Sequence, residues 1–457
     1  MRGLRRWWDG TAGGLPATFW YLWAGLLVNR AGAFAVLFLS LYLTEARGAS
    51  ESLAGAVVGA YGAGGAVGVL LGGVLADRWG RRATLLAAHL AAAGLMVGLA
   101  FSRHLAVIAA LAALVGIAHS MPSPAFVAAI VDVVPEHRRS RAFNLQFWAF
   151  NLGMAVASLL AGLLAEASFL ALFLVDAVAT LAAAALIAWK VPETLPRRRT
   201  GPVETRPDPA GTGRAAGEPV AAGARIVGEP VAVGARTVGE VAAGAGRSRP
   251  PGLHTALTDR TFLVFVGLTF VLAVLTMQTS TIMPLAMRAD GLSPSAYGIV
   301  VALGGALIVV GQLFVPGLID RRRAHRVLAL STGLLAVGFG ALAVADQLWV
   351  YLAAAVVWTV GSMLAAPPNA QINADLAPPE LRARYQSVFY LTFPAASFVA
   401  PTLGGVSLQY LGERHWLVVA ALGLLAAGGH LLAGPSRERR VAARRVAAPT
   451  RASQPVG

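Results

Sequence analysis

The sequence predicts an all-α membrane protein of twelve transmembrane helices arranged as two pseudo-symmetric six-helix bundles. Three observations carry that prediction. Hydrophobic residues make up 57% of the chain and charged residues only 13%, about half the charged share of a soluble domain. Twelve apolar runs follow one another, most of them at least the ~20 residues that cross a bilayer. A constant offset of 243 residues relates landmarks of the last six runs to those of the first six.

In chain order the runs are Leu15–Leu43, Leu53–Ala76, Ala83–Phe101, Leu105–Val131, Ala142–Ala165, Phe169–Trp189, Thr261–Met287, Leu292–Ile319, Val327–Ala345, Leu348–Ala374, Val388–Leu411 and Trp416–Ala433. In hydrocarbon each run must satisfy its own backbone hydrogen bonds, which leaves helix as its state. Arg2, Arg5 and Arg6 precede the first run, but that run is too long for a signal-peptide core and is expected to stay as the first membrane helix. The expected organisation is a cytoplasmic N-terminus (1–14), a six-helix bundle (15–190), a linker (191–259), a second bundle (260–434) and a basic tail (435–457). The linker is rich in Pro, Gly, Ala and Arg and repeats Gly217-Glu-Pro-Val-Ala at Gly228 and, shortened, at Gly239. Such a composition buries too little apolar surface to offset ordering, so a disordered cytoplasmic segment is expected. The tail carries six arginines and suits anionic headgroups.

Charge sets the orientation. With the N-terminus inside, 32 basic residues fall on cytoplasmic segments and four (Arg47, Arg103, Arg288, Arg414) on external loops, while Arg30 lies within the first run. Basic residues mark the cytoplasmic side, so both termini are expected there, in the plasma (inner) membrane. The net charge of +15 is spread over seven segments, which argues against nucleic acid as a partner. With no cysteine, disulfides and thiolate chemistry are excluded. No Ser/His/Asp, metal-ligand or phosphate-loop pattern points to an enzyme, a metal or a cofactor.

The most informative stretch lies between the second and third runs: Gly73-Val-Leu-Ala-Asp77-Arg78-Trp-Gly80-Arg81-Arg82. The 243-residue offset pairs Asp77 with Asp320, Asp132 with Asp375, Pro135 with Pro378, Arg139 with Arg382, Arg141 with Arg384 and Gly162 with Gly405. An even number of helices per unit gives both copies the same orientation, a parallel repeat. Asp77 closes a helix whose C-terminal end is already partly negative, so it should seek positive partners. Arg78 and Arg81 are the nearest in sequence.

On these residues the chain resembles the major facilitator superfamily, whose signature Gly-x-x-x-Asp-Arg-x-Gly-Arg-Arg/Lys is complete here as Gly73, Asp77, Arg78, Gly80, Arg81 and Arg82. The resemblance implies two bundles that rock about a central cavity open to one side at a time. It further implies that Asp77 meets the start of the eleventh helix, near Tyr385 to Val388, in a cytoplasmic latch that favours the outward-facing state. Gly73 would let those helices approach. Asp132 and Asp375, each followed by Pro and arginines including Arg139 and Arg382, are expected either in the same gate or as simple helix-ending Asp-x-x-Pro turns. In the second copy Gly80 and Arg81 become Arg323 and Ala324, so the element at Asp320 is eroded.

Arg30 is the one basic residue deep in a run, and a charge there should face a cavity or a partner. Asn29 and Asp176 are its strongly polar companions at comparable depth in the first half. Arg30 is expected either to bind substrate and sense a proton on Asp176, or to pair with Asp176 structurally. The resemblance places the first, fourth, seventh and tenth helices around the cavity, which makes His119 a titratable lining candidate. Gln146, Gln278, Trp358 and Asn369, with Tyr61 and Tyr297, complete a mixed polar and aromatic set suited to a fairly apolar ligand. The expected function is an alternating-access exporter, a monomer in the bilayer, that moves small, moderately apolar drug-like molecules in exchange for protons. Two marks of the superfamily's drug:proton antiporters are missing. No arginine precedes Gly116 by a turn, and of Gly-Pro-x-x-Gly-Gly only the last glycine, Gly162, remains. The alternatives are a metabolite permease and a transport-inactive sensor or scaffold.

Overall fold

The computed structural model describes residues 13–195, 254–311, 314–319, 322–378 and 381–447. Within them lie twelve helices long and apolar enough to span a bilayer: α1 Ala17–Ala46, α2 Glu51–Arg78, α3 Arg81–Phe101, α4 Leu105–Val133, α5 Glu136–Ala167, α6 Phe169–Lys190, α7 Arg260–Ala289, α8 Pro294–Gly311, α9 Ala324–Val344, α10 Leu348–Leu376, α11 Arg384–Leu411 and α12 Arg414–Ala443. Most of the 1–14 segment and of the linker, together with Asp320 of the second signature copy, lies outside the described residues.

Three helices are broken within their spans, α11 at Leu391, where Tyr390 ends one stretch and Thr392 starts the next. α1 stops at Ala31 and restarts as Ala35–Leu41, with Gly32 closing the first stretch. α4 breaks before Pro122, whose missing N–H cannot continue the ladder and which starts the second stretch. The last helix departs from expectation. It runs on without a break to Ala447, because Pro435 does not end it and the residues beyond pack back onto the bundle through Arg437 and Val441.

Glycine decides how the helices pair, since small residues let backbones meet. Gly64, Gly68 and Gly72 of α2 lie against the backbone of Ala113, Ile117 and Met121 of α4. Gly55, Gly59 and Gly62 lie on another stripe of α2 and meet Pro401, Phe398 and Ser397 of α11. The second inter-half contact is α5 on α8, where Gly298 meets Ser158 and Gly162 meets Ser295.

The start of α1, the ends of α6 and α12, the start of α7 and the turns after α2, α4 and α10 share one face, the basic face; the odd-numbered turns form the opposite face. Polar links seal the halves together on that opposite face. Arg288 lies 3.0 Å from Glu45, the Ser52 amide donates to Gln409 at 3.1 Å, and the Ser295 amide donates to Glu166 at 3.2 Å. Toward the basic face the contact ends. Gly73 has nothing within 4 Å of where a Cβ would stand, and Leu70 is 72% exposed. At 100° per residue, Gly55, Gly59, Gly62, Gly73 and Asp77 fall within about 60° of arc, so the stripe that seats α11 is filled at one end and empty at the other.

Candidate functional site: signature turn and central polar cluster

The signature turn is built around Gly80, whose φ of +108° suits glycine and where a Cβ would also strike the Glu193 carboxylate. The turn aims the first amides of α3 at Glu193, which accepts from Arg81 N at 2.8 Å and from Arg82 N at 3.2 Å. A carboxylate there answers the positive end of the helix. Burial alone would raise the Glu193 carboxyl, but the amides of Leu195, Arg81, Ala83 and Thr194 outweigh it and hold it below the usual carboxylate range. Arg81 then gathers the acids. Its Nε donates to Asp132 at 3.0 Å, and its Nη1 lies 3.4 Å from Asp77 and donates to the Ala76 carbonyl at 2.9 Å. Thr194 Oγ1 donates to the same Asp132 oxygen at 3.3 Å. Arg82 reaches the Ala188 carbonyl, Arg139 turns back on the carbonyls of Val131 and Val134, and Arg78 stays exposed.

Asp77 does not meet α11 in this state, although the resemblance implies that it does. Its ion pair is with Arg81, and the start of α11 is held elsewhere. The Tyr385 hydroxyl donates to Asp259 at 2.8 Å, and Asp259 also caps α7 through Phe262 N at 3.2 Å and pairs with Arg440 of α12. Burial alone would raise the Asp259 carboxyl, but Arg440, Tyr385 and the Phe262 amide outweigh it and hold it low. The physical reason for the difference is the open basic face, which keeps the ends of α2 and α11 apart. Arg382 is exposed, and Asp375 borders a cavity between α9, α10 and α12.

At the centre of the first half, Arg30 closes the first stretch of α1, where a cation suits the helix end. Arg30 and Asp176 are not joined by an ion pair. Asp176, buried in α6, instead accepts from Ala35 N at 3.1 Å and from Thr180 at 3.4 Å. It thereby caps the second stretch of α1, and the break in the helix explains why the acid is there. Asn29 also turns to α6, its Nδ2 donating to Thr180 at 3.2 Å. Arg30 is left with its guanidinium over the Phe150 ring at 4.7 Å, its Nε buried without a partner, and Gly153 making room for it. The Tyr61 hydroxyl and His119 Nδ1 are 3.4 Å apart, both within electrostatic reach of Arg30. The side-chain oxygens of Gln146 and Gln278 are buried without partners. Trp358 and Asn369 are spent inside the second half: Trp358 stacks on Phe339 at 5.0 Å, and Asn369 accepts from Thr269 at 3.1 Å.

The family model described as Major Facilitator Superfamily matches residues 22–321 and 264–454. The chain belongs to the major facilitator superfamily. The uncharacterized MFS-type transporter YhjO of Bacillus subtilis (strain 168) is 26% identical over 408 residues, covering 88% of this chain and 89% of that one. A gallate transporter of Pseudomonas putida is 29% identical and covers 68% of each chain. The multidrug resistance protein MdtH of Yersinia pestis (strain Pestoides F) is 30% identical over 28% of this chain and 35% of its own. A crystal structure of a POT family transporter in complex with a thioalcohol-conjugated peptide superposes with a TM-score of 0.70 at 14% identity, covering 94% of this chain and 98% of that chain, a likeness of fold. As a member of the superfamily the protein is a multi-pass membrane transporter. Its signature turn depends on partners that the motif does not contain, Glu193 and Thr194, and the matching anchor of the second half is Asp259 with Tyr385 and Arg440. The one available signal for Glu193 was its place directly after a span, two residues beyond Val191.

Proposed function

We propose that this transporter exports small, moderately apolar molecules by alternating access, driven by protons, with the basic face toward the cytoplasm. The observation that carries the reading is the half-filled stripe on α2. Gly55, Gly59 and Gly62 seat α11 while, on the same stripe, Gly73 faces open space and Asp77 is half-exposed beside Arg81. Rocking α11 along that stripe would close the basic face and open the other, and Asp77 would then meet the N-terminal end of α11 as a latch. The Phe150 ring, the Tyr61–His119 pair and the free oxygens of Gln146 and Gln278 suit a ligand with an apolar body and a few hydrogen-bonding groups. The titratable groups at this depth, His119 and Asp176, are the candidates for carrying the proton. The partial likeness to MdtH supports drug-like cargo.

A second reading is favoured by Arg30, which forms no ion pair with a carboxylate. A permease for small aromatic acids would use that charge, and the relative named as a gallate transporter points the same way. Flux in proteoliposomes separates the two, measured for lipophilic dyes and for aromatic carboxylates with and without an imposed pH gradient. Gradient-driven movement of the dyes is the expected result. Movement of the carboxylates alone selects the second reading, and flux indifferent to the gradient overturns proton coupling.

A further inference from the structure

The two halves differ at one junction, and the difference leaves a hole. In the first half the Arg81 side chain fills the meeting point of α2, α3 and α4 and binds Asp132. By the 243-residue offset Arg81 corresponds to Ala324 and Asp132 to Asp375, and a cavity of about 370 Å³ lies between Ala324 and Asp375, walled also by α12. Arg437 of α12 forms part of this wall. It is 4% exposed, its Nε and Nη2 are buried without partners, and its guanidinium rests over Phe265 with Nη1 3.5 Å from His430. A buried guanidinium with unmet donors is costly, more so than a neutral group. The carboxylates in the wall do not meet that need. Glu438 is taken by His325 at 2.8 Å and Arg323 at 3.9 Å, and Asp375 has a partner of its own. Exposed Arg322 stands at the rim. Among the described residues of the wall, arginines 322, 323 and 437 against two acids leave one positive charge in excess.

We propose that this cavity binds a phosphate group, held by the guanidinium of Arg322 at the rim and drawn by the unbalanced charge of Arg437 buried in the wall. The planar guanidinium matches phosphate oxygens, and a basic pocket between helices at this face is where anionic headgroups bind. The same chemistry is offered by a free phosphate. Bound there, the group ties α9, α10 and α12 together, as Arg81 ties α2, α3 and α4 in the first half. The site lies outside the central cluster and does not depend on what is transported.

The test uses the full chain in a neutral detergent, with the unfolding midpoint followed while short-chain phosphatidylglycerol, phosphatidylcholine or inorganic phosphate is added. Phosphatidylglycerol is expected to raise the midpoint and phosphatidylcholine not to. A rise with inorganic phosphate as well identifies a free-phosphate site; a rise with phosphatidylglycerol alone identifies the headgroup. In Arg437→Gln the apparent Kd should weaken about tenfold or more, and in Arg322→Gln, an exposed change that leaves the core intact, severalfold. No response from the wild-type chain to either anion overturns the proposal. So does an unchanged response in Arg322→Gln, which decides the matter even if Arg437→Gln does not fold.

Discussion

Asp77 and Arg30 carry opposite kinds of expectation because one is half-exposed and paired while the other is enclosed and unpaired. The Asp77 side chain is 45% exposed beside Arg81, and such a pair contributes at most about 1 kcal/mol. Asp77→Asn should therefore leave insertion and the unfolding midpoint nearly unchanged. Flux should fall at least tenfold, because the latch on the closed basic face loses its charge; wild-type flux in this variant would end the latch assignment. Arg30→Ala removes a guanidinium that makes no ion pair and whose Nε has no partner, so the fold should tolerate it while transport is lost. Arg30→Lys keeps the charge but not the planar fork over Phe150, and partial flux is expected. A fully active Arg30→Ala would refute the role. The expected pairing of Arg30 with Asp176, which the structure replaces by Asp176 accepting from Ala35 N and Thr180, illustrates the reach of sequence reasoning at this scale. Their common depth was legible, but the break at Gly32 creates the unpaired amide of Ala35 that claims the acid, and nothing in the residue order announces that.

Among elements, α2 is the one whose packing states a mechanism. Gly59 faces the Phe398 carbonyl and Thr402 in the sealed contact, whereas Gly73 faces nothing. Gly59→Leu overfills a close backbone contact, at a cost of about 1–3 kcal/mol, and should break the seal on the opposite face. Gly73→Leu costs nothing in this state but should prevent α11 from closing onto the basic end of the stripe. Both variants should lose flux, for opposite reasons, and labelling of single cysteines in a chain that has none of its own distinguishes them. With Gly59→Leu, reagent from the external side should reach positions on α11 near Ser397; with Gly73→Leu it should not. Equal labelling in both variants would contradict the stripe as the rocking surface. The spans themselves were legible from hydropathy, as with Leu105–Val131 expected and Leu105–Val133 found. Their partners were not. Glu193 and Asp259 lie in polar sequence beside spans, where an acid in solvent and an acid on a helix N-terminus read alike.

For the whole molecule, the two halves repeat in helix order but not in how their basic faces are tied. The first half uses the signature turn and Glu193. The second, with Gly80 and Arg81 replaced by Arg323 and Ala324, relies on Asp259 to join α7, α11 and α12 through Phe262, Tyr385 and Arg440. The repeat was legible from the 243-residue offset, while the substitute anchor was not, because it recruits residues from beyond the repeat's own motif. That asymmetry has a pH signature. The folded Asp259 carboxyl is held below its usual value, so its contribution to stability is present above the unfolded carboxylate pKa, about 4, and is lost as pH falls through the lower folded value. The wild-type unfolding midpoint should exceed that of Asp259→Asn by a constant margin near neutrality, and the margin should shrink below about pH 4. Glu193→Gln should behave alike, since Glu193 is held low by amides in the same way. A margin that persists undiminished to pH 3 would mean that neutral hydrogen bonding, not the ionised carboxylate, ties the second half together. The anchor would then be a matter of shape, and the loss of Gly80 and Arg81 from the second copy would need no electrostatic compensation.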